Sequence, residues 1–359
     1  MSEAIDPLAP IFKPAIRSSV EIVIEEYRSG RKYRDEDFPM TVEDFELFRR
    51  DVIQNLERIF SLESWAVRNP RGKGSQLKDR FRFRLLQTIE QHGVDMEVGV
   101  IEIPETGDAV PAVVSLPRTT EARPGICVFS GHSAHGLRDL TVDLDSYQEG
   151  VATRLAQAGF ASIAIEKVDA GYLARAYGDG VDEPEIGTMR LAQGRATRSH
   201  QLMACIASAE ILAGHPRVDE TRIGATGVSL GGWLSIETAL FSDRITAIAD
   251  FGKKTVNLRP DTEPADFVGI ADICHLYPGM LSICDRNLVA LACCPMPMLA
   301  GHGEKDVTSH ADSPVHFRPI FEAQYEALGL ADKYEYHVHG GSDVMPADSV
   351  IRYFQRIFG

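Results

Sequence analysis

The hexapeptide Gly227-Val228-Ser229-Leu230-Gly231-Gly232 constrains this chain more than any other stretch. Behind it runs Arg222-Ile223-Gly224-Ala225-Thr226, a short apolar segment that reads as a buried strand. Ahead of it, Trp233 to Leu240 reads as a helix. A G-x-S-x-G turn between a strand and a helix holds its serine on a sharp, strained bend. The flanking glycines have a steric purpose, because side chains there would collide with the neighbouring strand and helix. Such a bend lifts the Ser229 hydroxyl clear of the sheet and aims a helix N-terminus at whatever the hydroxyl meets. The plainer reading, a glycine-rich turn with an incidental serine, does not use the strand and helix on either side.

From Pro124 onward the sequence alternates strand and helix patterns, which predicts a mostly parallel central sheet flanked by helices. Gly125 to Phe129 is nearly continuous in apolar residues, as expected of a strand covered on both faces. Further strands are predicted at Phe160–Ile165, Ile223–Thr226, Ile245–Phe251, Met296–Ala300 and Tyr334–His339, with helices at Ser146–Gly159, Ala192–Ala213 and Pro346–Phe358. Residues 1–92 differ. Thr41 to Phe60 carries apolar residues at helical spacing, and Phe81 to Gln91 reads as a second short amphipathic stretch. This part is expected to be a helical extension, packed on the main body or forming the arm of a homodimer. Val94 to Val100 and Ala109 to Leu116 then alternate apolar and polar residues around Pro104-Glu105-Thr106-Gly107-Asp108, which predicts a β-hairpin. The main domain is thus expected over 93–359, with 168–187 and 253–285 as cap or substrate-lining segments.

Composition excludes several function classes. A formal charge of −15 opposes binding to nucleic acid or to an acidic membrane surface. No stretch approaches the ~18 apolar residues of a membrane helix. The segment Met1-Ser2-Glu3-Ala4-Ile5-Asp6-Pro7 lacks the basic and apolar regions of a signal peptide, so a cytoplasmic location is expected. Cys127 and Cys205 lie in apolar runs and read as small core residues. Cys274, Cys284, Cys293 and Cys294 cluster loosely, without the paired C-x-x-C spacing of a zinc site, so no metal is expected.

A serine hydroxyl is a poor nucleophile until a base takes its proton. The turn at Ser229 therefore calls for an oxyanion hole, an acid and a histidine, in the chain order Ser, Asp or Glu, His. Ser130 to Gly136 follows the first parallel strand and is the expected oxyanion loop. The expected donors are the backbone N–H of Leu230 and one near His132 or Ser133. Only backbone groups are needed there, so the side chains of His132 and His135 can equally be polar loop residues. Asp306 ends a strand-to-turn run from Pro297 and is the candidate acid, with Asp250 as runner-up.

These stretches resemble the α/β-hydrolase superfamily, and within it the dienelactone hydrolase and acetyl xylan esterase-like group. The resemblance rests on Pro216 to Gly224, the turn at Ser229, Cys274-His275-Leu276-Tyr277-Pro278-Gly279 with Asp285 and Leu288, and Cys294 to Leu299 with its Gly-x-x-Asp end. It implies an α/β-hydrolase fold and a serine hydrolase acting on a small carboxylic ester, with no cofactor and no metal.

One departure bears on the chemistry. The group's base stands in a Gly-Gly-His pattern after the last strand, whereas this chain reads His339-Gly340-Gly341-Ser342. Serine cannot serve as a base near neutral pH. Three readings stay open. His339 can replace the missing base, with His310 a weaker candidate. The chain can be an inactivated or engineered variant. Or the chemistry has moved away from hydrolysis, as in relatives in natural-product pathways that act as lyases, eliminating acetate or another acyl group. A non-catalytic binding protein on the same scaffold is a further alternative.

Overall fold

The computed structural model describes residues 19–62, 80–104, 107–133, 135–167, 171–175, 183–251, 273–275, 277–306 and 313–359. The strands are β1 (Arg82–Gln91), β2 (Val94–Ile103), β3 (Asp108–Leu116), β4 (Arg123–Phe129), β5 (Ala161–Ile165), β6 (Val218–Val228), β7 (Ile245–Phe251), β8 (Met298–Gly303) and β9 (Tyr334–His339). They form one sheet in the order β1-β2-β3-β5-β4-β6-β7-β8-β9. The pairs from β1 through β2 and β3 to β5 are antiparallel. From β5 to β9 every pair is parallel.

The helices are α1 (Ser19–Gly30), α2 (Val42–Ile59), α3 (Leu137–Thr141), α4 (Val151–Gln157), α5 (Gly171–Arg175), α6 (Glu183–Ala192), α7 (Thr197–Ala213), α8 (Leu230–Phe241), α9 (Arg286–Leu291), α10 (Ser313–Ala327) and α11 (Ala347–Phe358). They cover both faces of the sheet. One apolar core joins α2, α7, α8, α9 and α10 to the sheet. The other joins α3, α4 and α11 to the opposite face. Helix α2 shows how the sequence dictates this. Phe45, Phe48, Val52 and Leu56 fall on one stripe and are buried, while the Thr41 hydroxyl caps the helix by accepting from Asp44 N–H.

The expected parallel sheet, the hairpin at 94–116 and the strands at 245–251 and 334–339 are present. One expectation is corrected. Phe81–Gln91 is not part of a helical extension. Residues 82–91 form β1, the edge strand of the same sheet. The run Phe81-Arg82-Phe83-Arg84-Leu85 has period two, and Gln91 pairs with Val94 across the two-residue turn His92-Gly93. Both turn residues have positive φ, 52° and 78°, as a tight hairpin that matches strand twist requires. The predicted helix at Ser146–Gly159 is also shorter, beginning at Val151 after left-handed Glu149 and Gly150. Of the two segments expected to line the substrate, only 171–175, 183–187, 273–275 and 277–285 fall within the described residues.

Strand β4 lies between β5 and β6, so chain connections leave it in opposite directions. The carboxyl ends of β4 and β6 thereby open a crevice at a topological switch point, where ligands bind in open α/β sheets.

Candidate active site

Ser229 stands at that crevice. Its backbone is at φ 57°, ψ −123°, between the end of β6 and the start of α8. A non-glycine residue at positive φ is strained, and such strain concentrates at functional sites. The neighbours explain the glycines. A Cβ on Gly227 would lie 2.3 Å from the Gly231 carbonyl carbon, and one on Gly231 would lie 2.0 Å from the Phe129 carbonyl oxygen. The Ser229 N–H donates to the Phe251 carbonyl at 3.1 Å, which ties the bend to β7. Among the described residues the Ser229 hydroxyl has no hydrogen-bond partner, and Leu230 N–H, at the open end of α8, has none either.

The loop after β4 packs directly on this bend. A Cβ on Gly131 would lie 3.1 Å from Ser229 Cβ and 2.8 Å from the Val228 carbonyl oxygen. Gly131 N–H donates to Gln148 Oε1 at 3.2 Å. The Tyr147 hydroxyl donates to the His132 carbonyl at 2.8 Å. The Ser133 hydroxyl accepts the N–H groups of His135 and Gly136, each at 3.0 Å, and donates to the Asp139 carboxylate. The His132 ring lies against Cys274, with Nε2 3.3 Å from its Sγ.

Below the loop, the Glu166 carboxyl at the end of β5 is fully buried and accepts N–H bonds from Leu137 and Tyr172. Burial pushes its pKa up, against those N–H groups and nearby Lys167. Ser130, Glu166, Lys167 and Gln201 line a small cavity here.

The acid and histidine candidates share a second loop cluster. Gly303 pairs with His339 across β8 and β9. Beyond the strands, Lys305 N–H donates to the Gly341 carbonyl at 2.9 Å, and Asp306 N–H donates to the Gly303 carbonyl at 3.0 Å. Burial lowers the His339 pKa, as do His337 and His302, while Asp306 and Glu304 oppose the shift. The His339 ring meets Phe251 edge-on at 5.9 Å. Its Nδ1 accepts Gly341 N–H at 3.3 Å. That bond favours the tautomer with hydrogen on Nε2, opposite to the one a serine-activating imidazole uses. Ser342 is exposed, and its carbonyl would lie 2.1 Å from a Cβ on Gly303. Further along, Met345 N–H donates to the Tyr147 carbonyl at 2.8 Å, so this loop also reaches the residues that hold the loop after β4. Asp250 is wholly buried at the end of β7. His310 lies outside the described residues.

Sequence reasoning missed Tyr147, Gln148, Asp139 and Glu166. The first two sat inside a segment predicted as helix, but the helix begins only at Val151, after the left-handed pair Glu149-Gly150. Among the described residues no three His, Cys, Asp or Glu side chains gather as metal ligands, and no helix is long and apolar enough to cross a membrane.

No protein-family model matches this chain, and no curated protein matches its sequence. Solved structures do match. One is a protein provisionally described as an acetyl xylan esterase from Bacteroides fragilis, with a TM-score of 0.72 at 12% identity over 95% of both chains. A glucuronoyl esterase from Solibacter usitatus has a TM-score of 0.58 at 14% identity, covering 87% of this chain and 92% of that one. Acetyl xylan esterase 1 from a Thermoanaerobacterium species has a TM-score of 0.51 at 14% identity, covering 94% and 99%. All are α/β-hydrolase-fold enzymes, and at such identities the likeness defines the fold. This chain has the α/β-hydrolase fold.

Proposed function

We propose that the protein is a carboxylic ester hydrolase that acts on a small molecule and carries the acyl group on Ser229. The observation that carries this reading is the strained Ser229 bend, with a hydroxyl that has no partner among the described residues and a glycine loop packed against it. The described activities of the similar structures, acetyl xylan and glucuronoyl esterases, support carboxylic esters as the substrate class. Ser229 Oγ attacks the ester carbonyl, and the negative charge that develops on oxygen is met by Leu230 N–H and by the loop at 131–133. The serine proton passes to an imidazole and then to the leaving alcohol, and water releases the acyl group by the reverse sequence. His339 is the imidazole in this reading, with Asp306 as its acid. It must exchange its Gly341 contact for one with Ser229. Hydrolysis of a short aryl ester tests this: Ser229→Ala should lose at least about a thousandfold in kcat, and unchanged turnover would refute it.

Ser342 at the family's histidine position favours a second reading, in which the same fold eliminates an acyl group instead of transferring it to water. Turnover in 18O-labelled water separates the two. Hydrolysis places label in the acid product and leaves an alcohol, whereas elimination leaves an alkene and no label.

A further inference from the structure

The oxyanion loop is held by a side chain that has no place in a serine–histidine–acid set. The Tyr147 hydroxyl donates to the His132 carbonyl at 2.8 Å. The position of a Cβ on Gly131 is 2.7 Å from the Tyr147 hydroxyl oxygen and 3.1 Å from Ser229 Cβ, so the phenol stands beside the nucleophile. Its backbone carbonyl is anchored in turn by Met345 N–H at 2.8 Å.

A peptide unit is planar and trans, so the His132 carbonyl and the Ser133 N–H point in opposite directions. Fixing one fixes the other. The neighbouring donor, Gly131 N–H, is taken by Gln148. Ser133 N–H has no partner among the described residues. Were the His132 carbonyl released, the peptide could rotate and bring an acceptor oxygen to the place where negative charge must be stabilised. We infer that Tyr147 is a positioning residue, whose hydroxyl holds the His132–Ser133 peptide with its carbonyl out of the oxyanion hole and its N–H available to the reacting oxygen. Burial, with Asp343 and Asp139 nearby, pushes the phenol pKa up. The hydroxyl therefore keeps its proton and its donor role throughout the working range of pH.

This inference rests on the proposed acyl chemistry at Ser229. The test compares wild type with Tyr147→Phe, which removes one oxygen and keeps the ring. The readouts are the rate of covalent labelling by a fluorophosphonate, and kcat and KM on a short aryl ester. Tyr147→Phe should be labelled and turn over about ten- to a hundredfold more slowly at unchanged KM, because the lost interaction acts only on the charged state. Equal labelling rates would overturn the role of Tyr147 alone. A wild-type protein that is not labelled at Ser229 would overturn the acyl chemistry and this role with it. Should Tyr147→Phe lower the melting temperature, a structure of the variant decides. An unrotated His132–Ser133 peptide would overturn the inference, and a rotated one would support it.

Discussion

The Glu166 carboxyl group fills the space that a side chain on Gly136 would need: a Cβ there would lie 1.9 Å from Oε1. Gly136 also has φ 46°, a region that side chains disfavour. Gly136→Ala should therefore destabilise the fold by roughly 1–3 kcal/mol through overpacking, read as a lower urea midpoint. It should also slow Ser229 labelling, since Gly136 closes the loop that begins at Gly131.

Glu166 itself gives stability a dependence on pH. Burial raises its pKa above the ordinary 4.5, so the folded chain binds this proton more tightly than the unfolded chain does. The stability linked to that proton is fully present below pH 4.5 and is lost as pH rises through the folded value. Unfolding free energies of wild type and Glu166→Gln, measured from about pH 4 to about pH 8, should differ most in favour of wild type at the acid end. A difference that grows toward alkaline pH would contradict the assignment.

Ser342→His restores an imidazole to the loop that packs on Gly303. It should raise kcat/KM on a short aryl ester by about a hundredfold, the usual worth of a placed general base. In the wild type, His339→Gln should lower that rate, and in the Ser342→His background it should have little effect. Because burial and the neighbouring imidazoles lower the His339 pKa, the acid limb of the wild-type profile should fall below pH 6.5. A limb above that value, or a rate indifferent to His339, would remove His339 from the reaction.

Between α7 and α8, Arg198 and Glu237 form an ion pair with Nε–Oε2 at 3.2 Å and no exposure. Tyr277 donates its hydroxyl to the same glutamate. Removing Arg198 takes away the cation that most favours the buried Glu237 carboxylate, leaving Tyr277 and Arg286 to hold it, so Arg198→Met should cost about 3–5 kcal/mol in urea unfolding. Replacing both charges with apolar residues of similar volume should recover most of that loss. A single-variant loss below about 1 kcal/mol, the scale of an exposed pair, would contradict this.

The parts of the molecule legible in the sequence are those set by local pattern. Gly227 to Gly232 announced the bend because its glycines answer to backbone atoms only a few residues away or on the next strand. The buried strands at 125–129 and 245–251 announced themselves by apolar continuity. Strand β1 was misread because Leu85-Leu86-Gln87 breaks its alternation, at the point where the register with β2 shifts. The side chains that hold the loop after β4 left no pattern at all. Tyr147 reaches His132 across 15 positions and Glu166 reaches Leu137 across 29, and neither spacing carries a period. The candidate base was the least legible residue, because position 342 holds serine and the nearby imidazole of His339 is engaged with Gly341.

The most direct test of acyl chemistry at Ser229 is rapid acid quench of the enzyme during turnover of an aryl ester, followed by peptide mass spectrometry. The peptide containing Ser229 should gain the mass of the substrate's acyl group, and Ser229→Ala should gain none. Ester turnover with no acyl group on Ser229 would contradict the account.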